Sequence, residues 1–272
     1  MTEIRFQIDE NGIGLVEIDR PHVRNALDWS SMERFAEIVE QAHQATDIRA
    51  LIVTGAGQAF VSGGDLSVLQ HYPLPEHGER LATIMGDALR RLEDLPYPTI
   101  AAINGPARGG GAEVAMACDL RVMAEDASIG FVHTRLGIVT AWGGGQRLLR
   151  TVGYARALEL LTTGRVISPD EAYFLGMVNI ISPAGEALST AKILAGQIAS
   201  NPADCILATK RFLRRGLTEP EEVALAAERA EFPALWDTEF RRQAVARFLK
   251  KSKKAIQDLV ERKNMLSGDS KA

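Results

Sequence analysis

Cysteine is scarce in this chain. Only Cys118 and Cys205 occur, and neither belongs to a CxxC or Cys/His pattern, so zinc is disfavoured. Both fall in apolar, helix-like segments, where a free thiol behaves as a small hydrophobe. Long apolar runs are missing too. No stretch approaches the roughly 18 apolar residues of a membrane span, and the opening "MTEIRFQIDENG" lacks the charged-then-apolar order of a secretory signal. The chain has no excess of positive charge: its formal net charge is −4, which gives no reason to expect nucleic acid or anionic membrane as a partner. Basic residues gather only in "RFLKKSKK" (Arg247 to Lys254), without the aromatic–basic interleaving of a single-strand binder. Two phosphate-binding patterns are also lacking. GxxxxGK[ST] has no match, and the GxGxxG pattern begun by Gly55 and Gly57 fails at Phe60. Nucleoside triphosphates and NAD are therefore disfavoured. The expectation is a cytoplasmic protein with no metal, no membrane and no nucleic-acid partner.

The 272 residues are 46% hydrophobic and 24% charged, as expected for a globular protein with one large domain or one domain plus an appendage. "IRFQID" and "GLVEID" alternate in polarity around "ENG", a hairpin signal. Asp28 is placed to cap a helix over "WSSMERFAEIVEQAHQ". "IRALIVTG" and "YPTIAAING" are short apolar runs that predict buried strands, with a helix between them near Glu79 to Leu95. "LRVMAE", "SIGFV" and "MVNIIS" are further strand candidates, and "SPDEAYFLG" carries a Ser cap, a Pro and a closing Gly. After "SNPAD" (Ser200 to Asp204) the strand signals stop and only helical patterns follow. The fold class is α/β, with a core over residues 1–200 and a helical tail over 201–272.

Two glycine-rich loops each follow a buried strand: "TGAGQAFVSGGDL" and "NGPARGGGAEV". Glycine lets a backbone N–H approach a ligand atom without an intervening Cβ, and a helix N-terminus adds unpaired N–H groups. Gly64 in the first loop and Gly110 in the second could together donate to one carbonyl oxygen, an oxyanion hole. Periodicity alone does not say whether the loops converge. Glu113 follows the glycine triplet at the start of a helix-like segment.

With these motifs in order, the chain resembles the crotonase superfamily, the enoyl-CoA hydratase/isomerase family. "RPHVRNALD", "GAGQAFVSGGDL", "NGPARGGGAEVAMACDLRV", "GGGQRLLRTVG" and "ISPDEAYFLGMVN" are similar to successive family segments, and the similarity covers nearly all of the chain. The resemblance implies a crotonase-type spiral of ββα turns with a C-terminal helical trimerisation region, assembled as a homotrimer or a dimer of trimers. It implies an acyl-CoA thioester substrate, with coenzyme A entering as part of that substrate and no separate cofactor. It also implies oxyanion donors at Gly64 and Gly110 and an acid or base at Glu113. Contacts to the substrate or its CoA part are implied at Arg24, Ser62, Asp65, Leu66 and Lys250 or Lys251, with "LSVLQHYPLPEHGERL" (Leu66 to Leu81) shaping the acyl pocket.

The chain departs from the family's pattern at two places. Ser67 stands where members often carry a lysine, and His133 stands where hydratases carry their second glutamate. An imidazole can donate a proton near neutral pH but cannot repeat a carboxylate's role without a changed mechanism. The segment "FVH…G…WGG" resembles the branch that decarboxylates ethylmalonyl-CoA and methylmalonyl-CoA, so His133 with Glu113 would govern protonation of an enolate formed by loss of CO₂. Hydration of a short 2-enoyl-CoA is the alternative. Isomerisation, thioester hydrolysis, RNA binding and an inactive scaffold stand behind it. A charged Glu113 would repel a substrate carboxylate, so Glu113 must be protonated, paired with His133, or turned away.

Overall fold

The computed structural model describes residues 3–250. A six-stranded sheet forms the centre, in the order β1-β2-β3-β4-β6-β9. Its strands are β1 (Ile4–Ile8), β2 (Ile13–Ile18), β3 (Ala50–Gly55), β4 (Thr99–Ile103), β6 (Leu120–Ala124) and β9 (Ile180–Ser182). β1 pairs with β2 in the expected antiparallel hairpin, and every other neighbouring pair in this sheet is parallel. β3 and β4 are buried at every position. Their uninterrupted apolar runs reflect a parallel sheet covered on both faces.

A second, three-stranded sheet is built from β5 (Ala107–Arg108), β7 (Ile129–Gly130) and β8 (Val166–Ile167). Val61 extends this layer by a single bridge to Ala107. Each turn of chain thus contributes a long strand to one sheet, a short one to the other, and then a helix. The helices closing three turns are α3 (Pro75–Asp94), α4 (Gly110–Ala117) and α5 (Gly144–Thr163). This is the spiral of ββα turns that the motifs imply.

Asp28 caps α1 (Trp29–Gln44) as expected, its side chain accepting from the Ser31 amide at 2.9 Å. α3 begins four residues before the expected Glu79, because Pro75 at its first turn presets the helical φ. "SIGFV" yields only the two residues of β7 before the chain turns into a 3-10 segment at Val132–Leu136. Gly153 interrupts α5 with φ 76° and ψ 169°, so "GGGQRLLRTVG" ends at a kink inside a longer helical stretch. α2 (Leu66–Leu69) and α6 (Pro169–Phe174) are short. α7 (Ala187–Ala199) lies on β2, β3, β4 and β6 and had no counterpart in the sequence pattern.

The chain divides into two compact units, one ending at Leu207 and the other beginning at Ala208. The part of α8 (Ala203–Gly216) from Ala208 onward, α9 (Glu221–Trp236) and the helical residues 239–250 supply the described part of the second. Within it, the Arg211 guanidinium pairs with Glu231 and Arg241 stacks on Trp236 at 3.6 Å. Among the described residues, no helix is long and apolar enough to cross a membrane.

Candidate active site

The site begins at a buried asparagine. Asn25 is fully buried in a left-handed conformation, φ 59°. Its amide donates to the carbonyls of Ala56 (2.9 Å) and Ala59 (2.7 Å), while its oxygen accepts from the Arg20 amide at 2.9 Å. The first two bonds tie "RPHVRNALD" to the first glycine-rich loop, and the third closes that segment on itself. Ser62 Oγ then donates to the Arg24 carbonyl at 2.7 Å, and Leu27 bridges the loop in parallel fashion, Leu27 N–H to Gly63 O and Asp65 N–H to Leu27 O, each 2.8 Å. In such a bridge the middle residue turns its own amide away from the partner strand. Gly64 is that residue, and its N–H has no acceptor among the described residues.

The second loop packs against the first. Arg108 N–H donates to the Val61 carbonyl at 3.0 Å, and a Cβ on Gly63 would stand 3.1 Å from the Gly110 nitrogen. Gly110 opens α4, so its N–H is one of the unpaired donors of a helix N-terminus, and it too has no acceptor among the described residues. The two loops therefore converge, and Gly64 and Gly110 line one cavity of about 130 Å³.

The glycine triplet has a packing reason besides access to a ligand. Gly109 holds φ 52° with ψ −120°, a region costly for residues with a Cβ. A Cβ on Gly110 would fall 2.1 Å from the Trp142 ring, and one on Gly111 1.8 Å from the Val61 carbonyl. The room freed by the missing Cβ atoms at 110 and 111 is occupied by protein.

Glu113 sits in the first turn of α4 and is 1% exposed. Its Oε2 accepts from the amides of Trp142 (2.9 Å) and Gly144 (2.7 Å). Its Oε1 lies 3.0 Å from His133 Nε2. Of the three ways open to Glu113, the structure has the carboxylate paired with His133. An oxygen that accepts two N–H bonds cannot also carry a proton, so any proton of the pair belongs to the Oε1–Nε2 contact. His133 is itself buried, and its Nδ1 has no hydrogen-bond partner among the described residues.

Two arginines hold this arrangement, Arg147 within "GGGQRLLRTVG" and Arg121 within "NGPARGGGAEVAMACDLRV". Arg147 is buried, donates to the Trp142 carbonyl at 2.7 Å and pairs with Glu93 of α3 at 3.0 Å; it fixes the turn whose amides grip Glu113. Arg121 is buried at the far end of α4 and donates to the Cys118 carbonyl at 2.6 Å. Burial first of all lowers its pKa, against the opposing influence of Cys118 and Asp119, and its cation faces the negative end of the helix dipole. Both lie in segments that carry the family resemblance, which gave neither of them a role. For Arg121 the available signal was a lone arginine within the apolar run of β6.

The remaining expected site residues separate. Ser62 and Leu66 line the cavity. Asp65 does not. Its carboxylate turns to Ser67, accepting from that amide at 3.1 Å and from its hydroxyl at 2.5 Å, and it lies 3.7 Å from Arg20. Ser67, in place of the family's lysine, thus serves the start of α2. Arg24 is exposed and has no ion-pair partner among the described residues. Lys250 stands at the last described position, and Lys251 lies outside the described residues. Among the described residues no group of three or more His, Cys, Asp or Glu side chains could hold a metal ion.

Residues 9–258 match the family profile described as enoyl-CoA hydratase/isomerase. The chain belongs to that family. It is 36% identical to a short-chain-enoyl-CoA hydratase of Clostridium acetobutylicum, over 90% of this chain and 94% of the relative. It is 34% identical to the ethylmalonyl-CoA decarboxylase of Gallus gallus, over 90% of this chain and 83% of the relative. Among solved structures, an enoyl-CoA hydratase from Bacillus anthracis superposes with a TM-score of 0.86 at 32% identity, covering 92% of this chain and 97% of that one. In this chain the side chain opposite Glu113 is the imidazole of His133.

Proposed function

We propose that this protein removes CO₂ from a short, branched malonyl thioester of coenzyme A, such as ethylmalonyl-CoA or methylmalonyl-CoA. One observation carries the reading. The side chain facing Glu113 is an imidazole at 3.0 Å, and Glu113 is the one carboxylate lining the cavity among the described residues. A pair of carboxylates able to hold and deprotonate a water is missing, while every part needed to stabilise an enolate is present.

The thioester oxygen takes its place between the Gly64 and Gly110 amides. The bond from C2 to the carboxylate carbon breaks, CO₂ leaves, and the electron pair moves through the thioester onto that oxygen. No base is required, because the departing carboxylate supplies the electrons. Two preorganised donors in a site with a largely apolar lining are worth a few kcal/mol at this step. The walls include Leu66, Leu69, Leu81, Val132 and Trp142, an apolar lining that favours the diffuse charge of an enolate over the compact charge of a carboxylate. The Glu113–His133 pair then governs return of a proton to C2. Repulsion between Glu113 and the substrate is reduced because two amides and an imidazole already face its oxygens.

Hydration of a short 2-enoyl-CoA is the second reading. It is favoured by the position of Glu113 at the cavity and by the likeness to the clostridial hydratase. One assay separates them: the purified protein is offered ethylmalonyl-CoA, methylmalonyl-CoA and crotonyl-CoA, and the products are read by mass. Loss of CO₂ from the malonyl substrates, faster than addition of water to crotonyl-CoA, is expected; dominant hydration overturns the proposal. His133→Glu should then lower decarboxylation and raise hydration of crotonyl-CoA. No change in either rate would reduce His133 to a packing residue.

A further inference from the structure

A second cavity adjoins the first. It has a volume of about 320 Å³, against about 130 Å³ for the chamber holding Gly64 and Gly110. His133 and Val139 line both. The second chamber runs along α5, where Leu149, Ala157, Leu158 and Leu161 supply apolar surface and Gln146 and Thr162 a polar edge. The kink at Gly153 lies between Leu149 and the other three leucine and alanine positions, so both halves of α5 contribute. His133 is held in place by Glu113. Val139 has no such tether: it sits on the segment between the 3-10 turn and α5 and is 74% exposed.

We propose that the acyl site has two chambers and that Val139 is the specificity-determining residue that closes the inner one. The inner chamber takes the thioester and a short acyl group. The outer chamber is a site for the apolar end of a longer acyl chain, reached past Val139 when its side chain is cut back. This rests on the reading of the substrate as an acyl-CoA but not on which reaction follows. Chemistry supports the assignment of ligand. No Asp, Glu, Lys or Arg lines the outer chamber, and its aliphatic side, formed by Val139, Leu149, Ala157, Leu158 and Leu161, suits a hydrocarbon tail. Continuity with the thioester chamber through a shared wall makes the tail of the same molecule the natural occupant.

The test uses saturated acyl-CoAs, which bind without reacting, so its result is independent of decarboxylation or hydration. Affinities for butyryl-CoA and octanoyl-CoA are measured by calorimetry on the full-length protein, on Val139→Ala, and on Val139→Ala combined with Leu158→Trp. Val139→Ala should raise the octanoyl-to-butyryl affinity ratio about tenfold, the effect of burying roughly two more methylenes. Adding Leu158→Trp, which fills the outer chamber, should return the ratio towards its original value. An unchanged ratio in Val139→Ala overturns the partition. A raised ratio that survives Leu158→Trp places the tail elsewhere and overturns the outer site. Failure of butyryl-CoA to bind the unaltered protein overturns the acyl-CoA reading, and the two-chamber site with it. A measurable butyryl-CoA affinity with no decarboxylation overturns only the reaction assigned above.

Discussion

At the scale of single residues, the two amides differ in how cleanly they can be tested. Gly110 cannot be changed without pushing into Trp142, where an added Cβ would stand 2.1 Å from the ring. Gly64 can. Its Cβ would meet the Leu69 Cδ1 methyl at 2.6 Å, the far end of a flexible side chain, and the Leu27 bridge does not use its N–H. Gly64→Ala should therefore keep most of the turnover, whereas Gly64→Pro, which deletes the donor, should lower kcat by about 100-fold. Equal activity in the two variants, measured on the thioester that the mass assay identifies, would place the donor elsewhere. Glu113→Gln is expected to cut turnover at least about tenfold while leaving thermal unfolding nearly unchanged, since a Gln oxygen can still accept from Trp142 and Gly144. Much of this site was legible in the residues. Gly64, Gly110, Glu113 and His133 line one cavity, as the ordered motifs implied. The grip of Trp142 and Gly144 on Glu113 was not legible, because it joins backbone amides 29 and 31 positions away, and a backbone donor leaves no signature in side-chain identity. Asp65 was drawn to the substrate by its place in the motif. The structure turns it towards Ser67 and Arg20, because a buried carboxylate needs partners and those were nearer.

At the scale of elements, legibility followed the size of the apolar side chains. α1 was readable because Met32, Phe35, Ile38 and Val39 mark its buried face. α7 was not, because it meets the sheet through Ala187, Ala191 and Ala195. These recur at helical spacing but are too small to stand out in a hydropathy pattern, and close packing on the sheet is what their size permits. β5 and β8 are two residues each, too short for any alternation to register, and β7 keeps only two residues of the expected "SIGFV". The cap of α1 gives a prediction at this scale. Burial pushes the Asp28 carboxyl up, but the Ser31 amide and hydroxyl and the Arg20 guanidinium outweigh it, so its pKa lies below the ordinary Asp value. A folded pKa below the unfolded one means stability that is fully present above the unfolded value and is lost as the pH falls through the folded one. Asp28→Asn keeps a capping oxygen but removes the titration. The variant should be less stable than the parent in urea at about pH 7, and the gap should be smaller at about pH 2. A gap of the same size at both pH values would show that Asp28 contributes through its shape and not its charge.

At the scale of the whole molecule, several large apolar side chains stand exposed on the surface. In the first unit Phe174 is 84% exposed, Ile193 64% and Tyr173 56%. Exposed apolar residues in such number mark surfaces that meet another molecule, and the family resemblance implies that the other molecule is a second and third copy of this chain. Burying one large side chain contributes about 1.5–3 kcal/mol. Bringing two chains together costs an estimated 4–15 kcal/mol or more in lost freedom. No single residue can therefore hold an assembly, and several acting together can. The consequence is graded. The unaltered protein should sediment as a trimer or hexamer of 29.6 kDa chains. Phe174→Asp loses one contribution and adds a charge to be desolvated, so it should form an assembly that comes apart on dilution without unfolding the monomer. Sedimentation velocity over a dilution series, with circular dichroism on the same samples, reads both quantities. A monomer at every concentration for the unaltered protein would show that these side chains serve some other partner. An undiminished assembly in Phe174→Asp would place the contact on a different face.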